Sequence, residues 1–139
     1  MDKVLNYLSL ARKAGRAELG EEPVGAAARA LHAHLIVVAK DASDHTWRRA
    51  NSFAAGTKQQ CLRLDSTKDD MGMAIGRESL AIAAITDPAL ALAMVQNLPE
   101  TELTKAAAQV LEEKVKNLKQ RQKEAKAHQR NRRSGMKKK

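Results

Sequence analysis

Cysteine is almost absent. Cys61 is the one thiol in 139 residues, so no internal disulfide framework and no thiol cluster for zinc can form, and a reducing, cytoplasmic setting is expected. Aromatics are as scarce, with one Trp, one Tyr and one Phe. Tyr7, Trp47 and Phe53 fall on predicted helices, where they pack, which argues against recognition of single strands by stacking platforms. Long apolar runs are also missing. The most apolar stretch, Leu80 to Leu98, is cut by Asp87-Pro88 and reads as a strand followed by a helix, not as a membrane span. Met1-Asp2-Lys3-Val4 runs into polar breaks within a few positions, so no secretion signal is expected.

Side chains for catalysis are equally thin. The four histidines, His32, His34, His45 and His128, show no spacing that pairs two ligands on one helix face, and His32 and His34 read as turn residues. Cys61 lies in an apolar stretch and reads as a small core residue. Gly72-Met73-Ala74-Ile75-Gly76 precedes a strand, whereas a dinucleotide fingerprint must follow one. The expectation is a protein that is not an enzyme and holds neither cofactor nor metal.

What the chain has in excess is positive charge, and it is confined. Val115 to Lys139 contains eleven Lys or Arg and one acid, Glu124, whereas the other 114 residues hold 14 bases and 15 acids. The formal net charge of +9 therefore belongs to an appendage. That arrangement suits a basic arm neutralising phosphates without reading sequence.

Hydrophobic spacing divides the rest into alternating elements. Val4, Leu5, Leu8 and Ala11 recur at helical intervals, so residues 3 to 14 form an amphipathic helix ended by Gly15. After a short extended piece at Arg16 to Leu19, Gly20 opens a second helix with Glu21 and Glu22 in its first turn and Pro23 near its start; Val24, Ala27, Ala28 and Leu31 form its buried stripe. Leu35-Ile36-Val37-Val38-Ala39 does not alternate, as expected of a central strand covered on both faces. Asp41 or Ser43 caps a third helix, carrying Trp47, Ala50 and Ala54 on one side. Residues 61 to 64 read as a short strand, Thr67 to Asp70 as a capping box opening a helix, and Leu80 to Thr86 as a further strand. Asp87-Pro88 starts the next helix. The alternation predicts a three-layer α/β/α sandwich. Pro99 is placed as the boundary between a body, 1–98, and a basic extension, 99–139, helical over 101–127 with Leu103, Ala107, Val110, Leu111, Val115 and Leu118 along one side, and disordered over 131–139 without a partner.

Four segments occur in one order with short gaps: L-x-L-A-R-K-A-G-R at 8–16, G-E-E-x-V at 20–24, L-I-V-V-A-K-D-A at 35–42 and M-G-x-A-I-G-R-E-S at 71–79. In this succession the chain resembles the ribosomal protein L7Ae family, whose small bacterial members and ribosomal relatives bind kink-turn RNA. The resemblance spans nearly all of 3–98. It implies an α/β/α sandwich around a four-stranded mixed sheet and non-catalytic binding of structured RNA, ribosomal RNA included. It also places the RNA surface at the turn from Gly20 to Ala26, at Lys40 and at the loop from Gly76 to Leu80. Kink-turn binders carry Asn, Glu and Lys where this chain has Glu22, Pro23 and Ala26, and the side chains of Pro23 and Ala26 offer no hydrogen bond to a base.

The candidate RNA-binding residues are thus Lys13, Arg16, Gly20, Glu21, Glu22, Lys40, Gly76, Arg77, Glu78 and Ser79. Lys13 and Arg16 flank the first turn and add phosphate contacts. Glu21 and Glu22 also have a purely structural role, offsetting the helix dipole. A monomer with no membrane or small-molecule substrate is expected. The rival reading is a protein-interaction adaptor that kept the fold and lost RNA recognition. The third is the recognition subunit of an RNA-modifying enzyme.

Overall fold

The computed structural model describes residues 2–137, with side-chain surroundings for residues 2–129. Helix α1 (Lys3–Lys13) starts where the Asp2 carboxylate accepts the Val4 N–H at 3.0 Å, and buries Val4, Leu5, Leu8 and Ala11. Strand β1 (Ala17–Leu19) leads through Gly20 into α2 (Glu21–Arg29), and β2 (Leu35–Val38) into α3 (Asp44–Ala54). Of the two caps weighed for α3, Ser43 serves, accepting from Thr46 N–H. Asp41 instead accepts the N–H of Lys68 at 2.8 Å. Strand β3 (Gln60–Arg63) precedes α4 (Lys68–Ala74), whose Thr67–Asp70 capping box is complete. Strand β4 (Ile82–Ile85), α5 (Pro88–Gln96) and α6 (Glu102–Lys137) follow.

The four strands form one mixed sheet in the order β1-β4-β2-β3, with β2 and β3 parallel and β4 antiparallel to both neighbours. Every residue of β2 and β4 is buried, which is why neither strand alternates in sequence. Helices α1, α4 and α5 pack together on one face, α2 and α3 on the other, and α6 lies beside α5 and β3. This is the sandwich that the alternation of elements required. Among the described residues no helix is long and apolar enough to cross a membrane.

The packed core does not stop at Leu98. Ala107 and Leu111, one turn apart on α6, are fully buried with the sheet and α5, and burial of a leucine of this kind is worth about 1.5–3 kcal/mol. Helix α6 begins beside Lys40 and Asp65, around a groove that Leu98, Thr101 and Leu103 line, and its Lys114 reaches His34 at the other end of the strands. It therefore crosses the body over about 18 Å at 1.5 Å per residue. Beyond Leu118 its side chains are exposed as far as they are described, and the helix continues past 127 to Lys137. The segment 131–139, expected to lack order without a partner, is thus helical to Lys137; Lys138 and Lys139 lie outside the described residues.

Leu31 departs from the buried stripe expected for α2. The helix ends at Arg29, and Leu31 follows with φ +61 and 60% of its surface exposed. The His32 N–H donates to the Ala27 carbonyl at 2.8 Å and the Leu31 N–H to Ala28 at 3.0 Å, the pair of bonds that closes helices on a left-handed residue, usually glycine. A leucine in that conformation costs about 1–2 kcal/mol, against which glycine loses roughly 0.5–1 kcal/mol of chain entropy. Leu31→Gly is accordingly expected to raise stability by about 0.5–1 kcal/mol. A urea midpoint that falls instead would mean that the side chain packs more than its exposure indicates.

Candidate nucleic-acid interface

Because β1, β2 and β3 run the same way, their C-terminal ends and the start of β4 share one edge of the sheet. Backbone bonds join this edge into one surface. The Gly20 N–H donates to the Ile82 carbonyl at 3.0 Å, Ala39 to Ala81 at 2.9 Å, Lys40 to Ser66 at 2.9 Å and Leu80 to Lys68 at 3.0 Å. Gly20, Lys40 and the Ser79–Leu80 end of the loop therefore converge on one edge. Gly20 has φ +95 and ψ 162, a conformation essentially restricted to glycine, and no side chain caps the first-turn N–H groups of α2. Lys40, Gly76, Arg77, Glu78 and Ser79 are all exposed. Lys40 also rims an open groove of about 680 Å³ with Trp47, Arg63 and Leu103.

The loop is held against α4 by a glycine with a different reason for being there. A Cβ on Gly72 would sit 2.7 Å from the Ser79 nitrogen and 2.8 Å from the Arg77 carbonyl oxygen. The Arg77 N–H donates to the Gly72 carbonyl at 2.8 Å. The position of Arg77 and Ser79 thus depends on a missing side chain one element away.

Two acids proposed for the site differ in their surroundings. The Glu21 carboxylate accepts from the Thr46 hydroxyl at 3.1 Å and lies 3.6 Å from Arg49 Nε, so it ties α2 to α3. Glu22 is exposed. The first turns of α2, α3 and α4 bring Glu21, Glu22, Asp44, Asp69 and Asp70 to this edge, where they offset the helix dipoles by about 0.3–1 kcal/mol each. The same acids weaken the attraction of the edge for phosphate.

Lys13 and Arg16 do not join this surface. The Arg16 carbonyl accepts the Thr86 N–H at 2.9 Å, beyond the far end of β4, and β1 carries the chain across the sheet before Gly20, about 13 Å at the rise of a strand. Sequence proximity suggests one surface; the strand between them makes it two opposite edges. The last turns of α1 and α2 carry Arg12, Lys13 and Arg29, so the edge opposite Gly20 is basic where the glycine edge is acidic. The basic half of α6 leaves from that opposite edge.

Trp47 and Phe53 are half-buried, with Arg63 5.0 Å over the indole and Arg49 5.4 Å over the phenyl ring. Both rings have cation partners within the protein. Burial pushes the Cys61 thiol up to about 12, so it stays protonated and unreactive.

Sequence reading misses the pairing of His34 with Lys114. Lys114 Nζ lies 3.1 Å from His34 Nδ1; an ammonium only donates, so Nδ1 accepts and the imidazole proton sits on Nε2. Burial, then the Lys114 charge, lower the His34 pKa to about 4. Nothing in the local sequence pairs residues 80 positions apart. With its native pKa below the unfolded value of 6.5, His34 takes up a proton more readily when unfolded, so stability falls as pH drops from about 6.5 towards 4. Half-burial and solvent screening reduce the loss to on the order of 1–2 kcal/mol. His34→Gln, which keeps an acceptor without the titration, should flatten that part of a stability–pH curve. An unchanged slope would assign it to other groups.

No family model matches the chain, and no curated protein matches it. Among solved structures, a protein of unknown function from Bacillus halodurans superposes with a TM-score of 0.67 at 22% identity, over 72% of this chain and all (100%) of the other. A 15.5 kD RNA-binding protein from Giardia lamblia superposes with a TM-score of 0.53 at 14% identity, over 78% of this chain and 82% of its own. At these identities the likeness establishes a shared α/β sandwich fold, one that an RNA-binding protein also uses.

Proposed function

We propose that this chain binds structured RNA without catalysis, docking it on the glycine edge and holding it with the basic part of α6. The observation that supports this reading is the convergence of Gly20, Lys40 and the Ser79–Leu80 segment through backbone hydrogen bonds. The resemblance to the L7Ae family and the fold shared with an RNA-binding protein point the same way. Because acids from three helix starts crowd the edge, its contacts run through backbone N–H groups, Lys40 and Arg77, with shape in place of charge. Affinity then comes mainly from the α6 extension, in which residues 119–139 carry ten Lys or Arg.

Crosslinking the full chain to RNA in cells and sequencing the attached fragments tests the docking. Recovery of one folded element, abolished by Lys40→Glu plus Arg77→Glu, supports it; a scatter that tracks RNA abundance overturns it. Deleting 119–139 should flatten the salt dependence of binding to that element, by about 0.7–0.9 in log–log slope for each phosphate that is no longer neutralised. A truncated protein with the full slope would mean that the extension does not touch phosphate. The acid-rich edge favours one second reading, an adaptor that binds a basic protein surface there. It predicts that the truncated body ignores structured RNA.

A further inference from the structure

At the edge of the sheet opposite Gly20, the turn after α2, the loop before β3 and the middle of α6 enclose an open cleft of about 550 Å³, within the size range of small-ligand sites. Leu31 and Leu118 supply an apolar wall, Lys58, Lys114 and Arg121 a cationic one, and His34 lies with them. Among the described residues, no carboxylate forms an ion pair with any of these three cations; the ion pairs present join Arg49 to Glu21 and Lys105 to Glu100. The Asp87 charge acts on His34 and its Oδ1 caps α5, accepting the Ala89 N–H at 2.8 Å, without an ion pair to any of the three cations. Lys114 spends its described hydrogen bond on a neutral imidazole.

Two further features point to a ligand. Burial, then the charge of Lys58, lower the pKa of Lys114, and an anion held between the two ammonium groups would oppose the second effect. Independently, the exposed wall residue Leu31 is the one described non-glycine residue with a positive φ. Glycine would close α2 there at lower cost, and strain of this kind collects at binding sites.

We propose that this cleft is a nucleotide site, in which Lys58, Lys114 and Arg121 hold a phosphoryl group while Leu31 and Leu118 pack against the base or sugar. A free mononucleotide and the phosphorylated end of an RNA present the same chemistry. The site is separate from the glycine edge and does not depend on RNA docking there.

Amide chemical shifts of the full chain, followed during titration, test the proposal. Adenosine monophosphate, inorganic phosphate, and a short single-stranded RNA with and without a terminal phosphate are the probes. Saturable shifts at Leu31, Thr57, Lys58 and Asn117 are expected. Lys58→Gln with Arg121→Gln, both at exposed positions, should weaken binding at least about tenfold, and Leu31→Gly should weaken the mononucleotide more than inorganic phosphate. Shifts with the mononucleotide identify a free ligand; shifts only with the terminally phosphorylated RNA identify an RNA end. No saturable shift at these amides with any probe, an unchanged double variant, or equal response to both RNAs and none to the mononucleotide overturns the proposal. Gly20, Lys40 and Ser79 report the other edge, so failure of RNA docking there is read separately.

Discussion

Gly72→Ala is expected to destabilise the protein by about 2 kcal/mol, although helix propensity alone predicts the opposite sign. In a helix interior alanine is favoured over glycine by about 0.8–1 kcal/mol. Here the added Cβ meets the Ser79 nitrogen at 2.7 Å and both the Arg77 carbonyl oxygen and Ser79 Cα at 2.8 Å. These are backbone atoms, so relief requires the 76–79 segment to move, and forcing a methyl into a packed site costs typically about 1–3 kcal/mol before the broken Arg77 to Gly72 hydrogen bond is counted. Sterics therefore win. Chemical denaturation measures the loss; under the proposed function, RNA affinity of the still-folded fraction should fall with it, because Arg77 and Ser79 are displaced together. An alanine variant more stable than the parent would show that α4 and the loop do not touch.

Leu111→Ala should cost more, about 2–5 kcal/mol, a large share of the roughly 5–15 kcal/mol that holds an ordinary domain folded. Leu111 is fully buried, with Ala107 one turn before it. Removal of everything after Leu98 would take both away and expose the apolar side of α5, so that fragment should fail to fold cooperatively. Deletion of 119–139 removes only side chains that are exposed as far as they are described and should leave the melting temperature within about 2 °C, since surface changes amount to about 0.5 kcal/mol or less. Thermal unfolding of the two truncations separates them. A stable 1–98 fragment would place the whole of α6 outside the core.

Both predictions concern features that local pattern does not carry. Pro99 reads as the boundary because composition changes there, from apolar α5 to a segment rich in Ala, Lys, Glu and Gln. The apolar side of 101–127, Ala107 and Leu111 included, marks a helix, but periodicity does not say which surface that side packs against. Leu31 is misplaced by pattern for a related reason. Its interval from Val24, Ala27 and Ala28 fits a buried stripe only while the helix continues, and α2 ends at Arg29, after which the left-handed turn points the side chain outward. Lys13 and Arg16 group with Gly20 in sequence because so few residues separate Arg16 from Gly20; only the pairing of β1 with β4 shows that this short extended piece crosses the sheet from one edge to the other.

Much else is legible locally. The Thr67–Asp70 box, the Asp87-Pro88 start and the Ser43 cap act within one helical turn, so residue types at fixed spacing specify them. Non-alternating Leu35–Ala39 marks the interior of the sheet, since only a strand covered on both faces dispenses with polar positions. The convergence of Gly20, Lys40 and the loop is implied by the family resemblance, and the hydrogen bonds from Gly20, Ala39 and Leu80 supply its geometry.

The amino-acid sequence alone determined the elements, their order, the sandwich class and the confinement of net charge to the C-terminal segment, because each rests on neighbours along the chain. Tertiary structure alone decided that helix starts gather acids on one edge, that α6 crosses to the other edge before its basic half projects, and that Lys58, Lys114 and Arg121 meet beside Leu31. Those facts depend on strand direction and sheet order, which pair groups far apart in sequence and leave no periodicity to read.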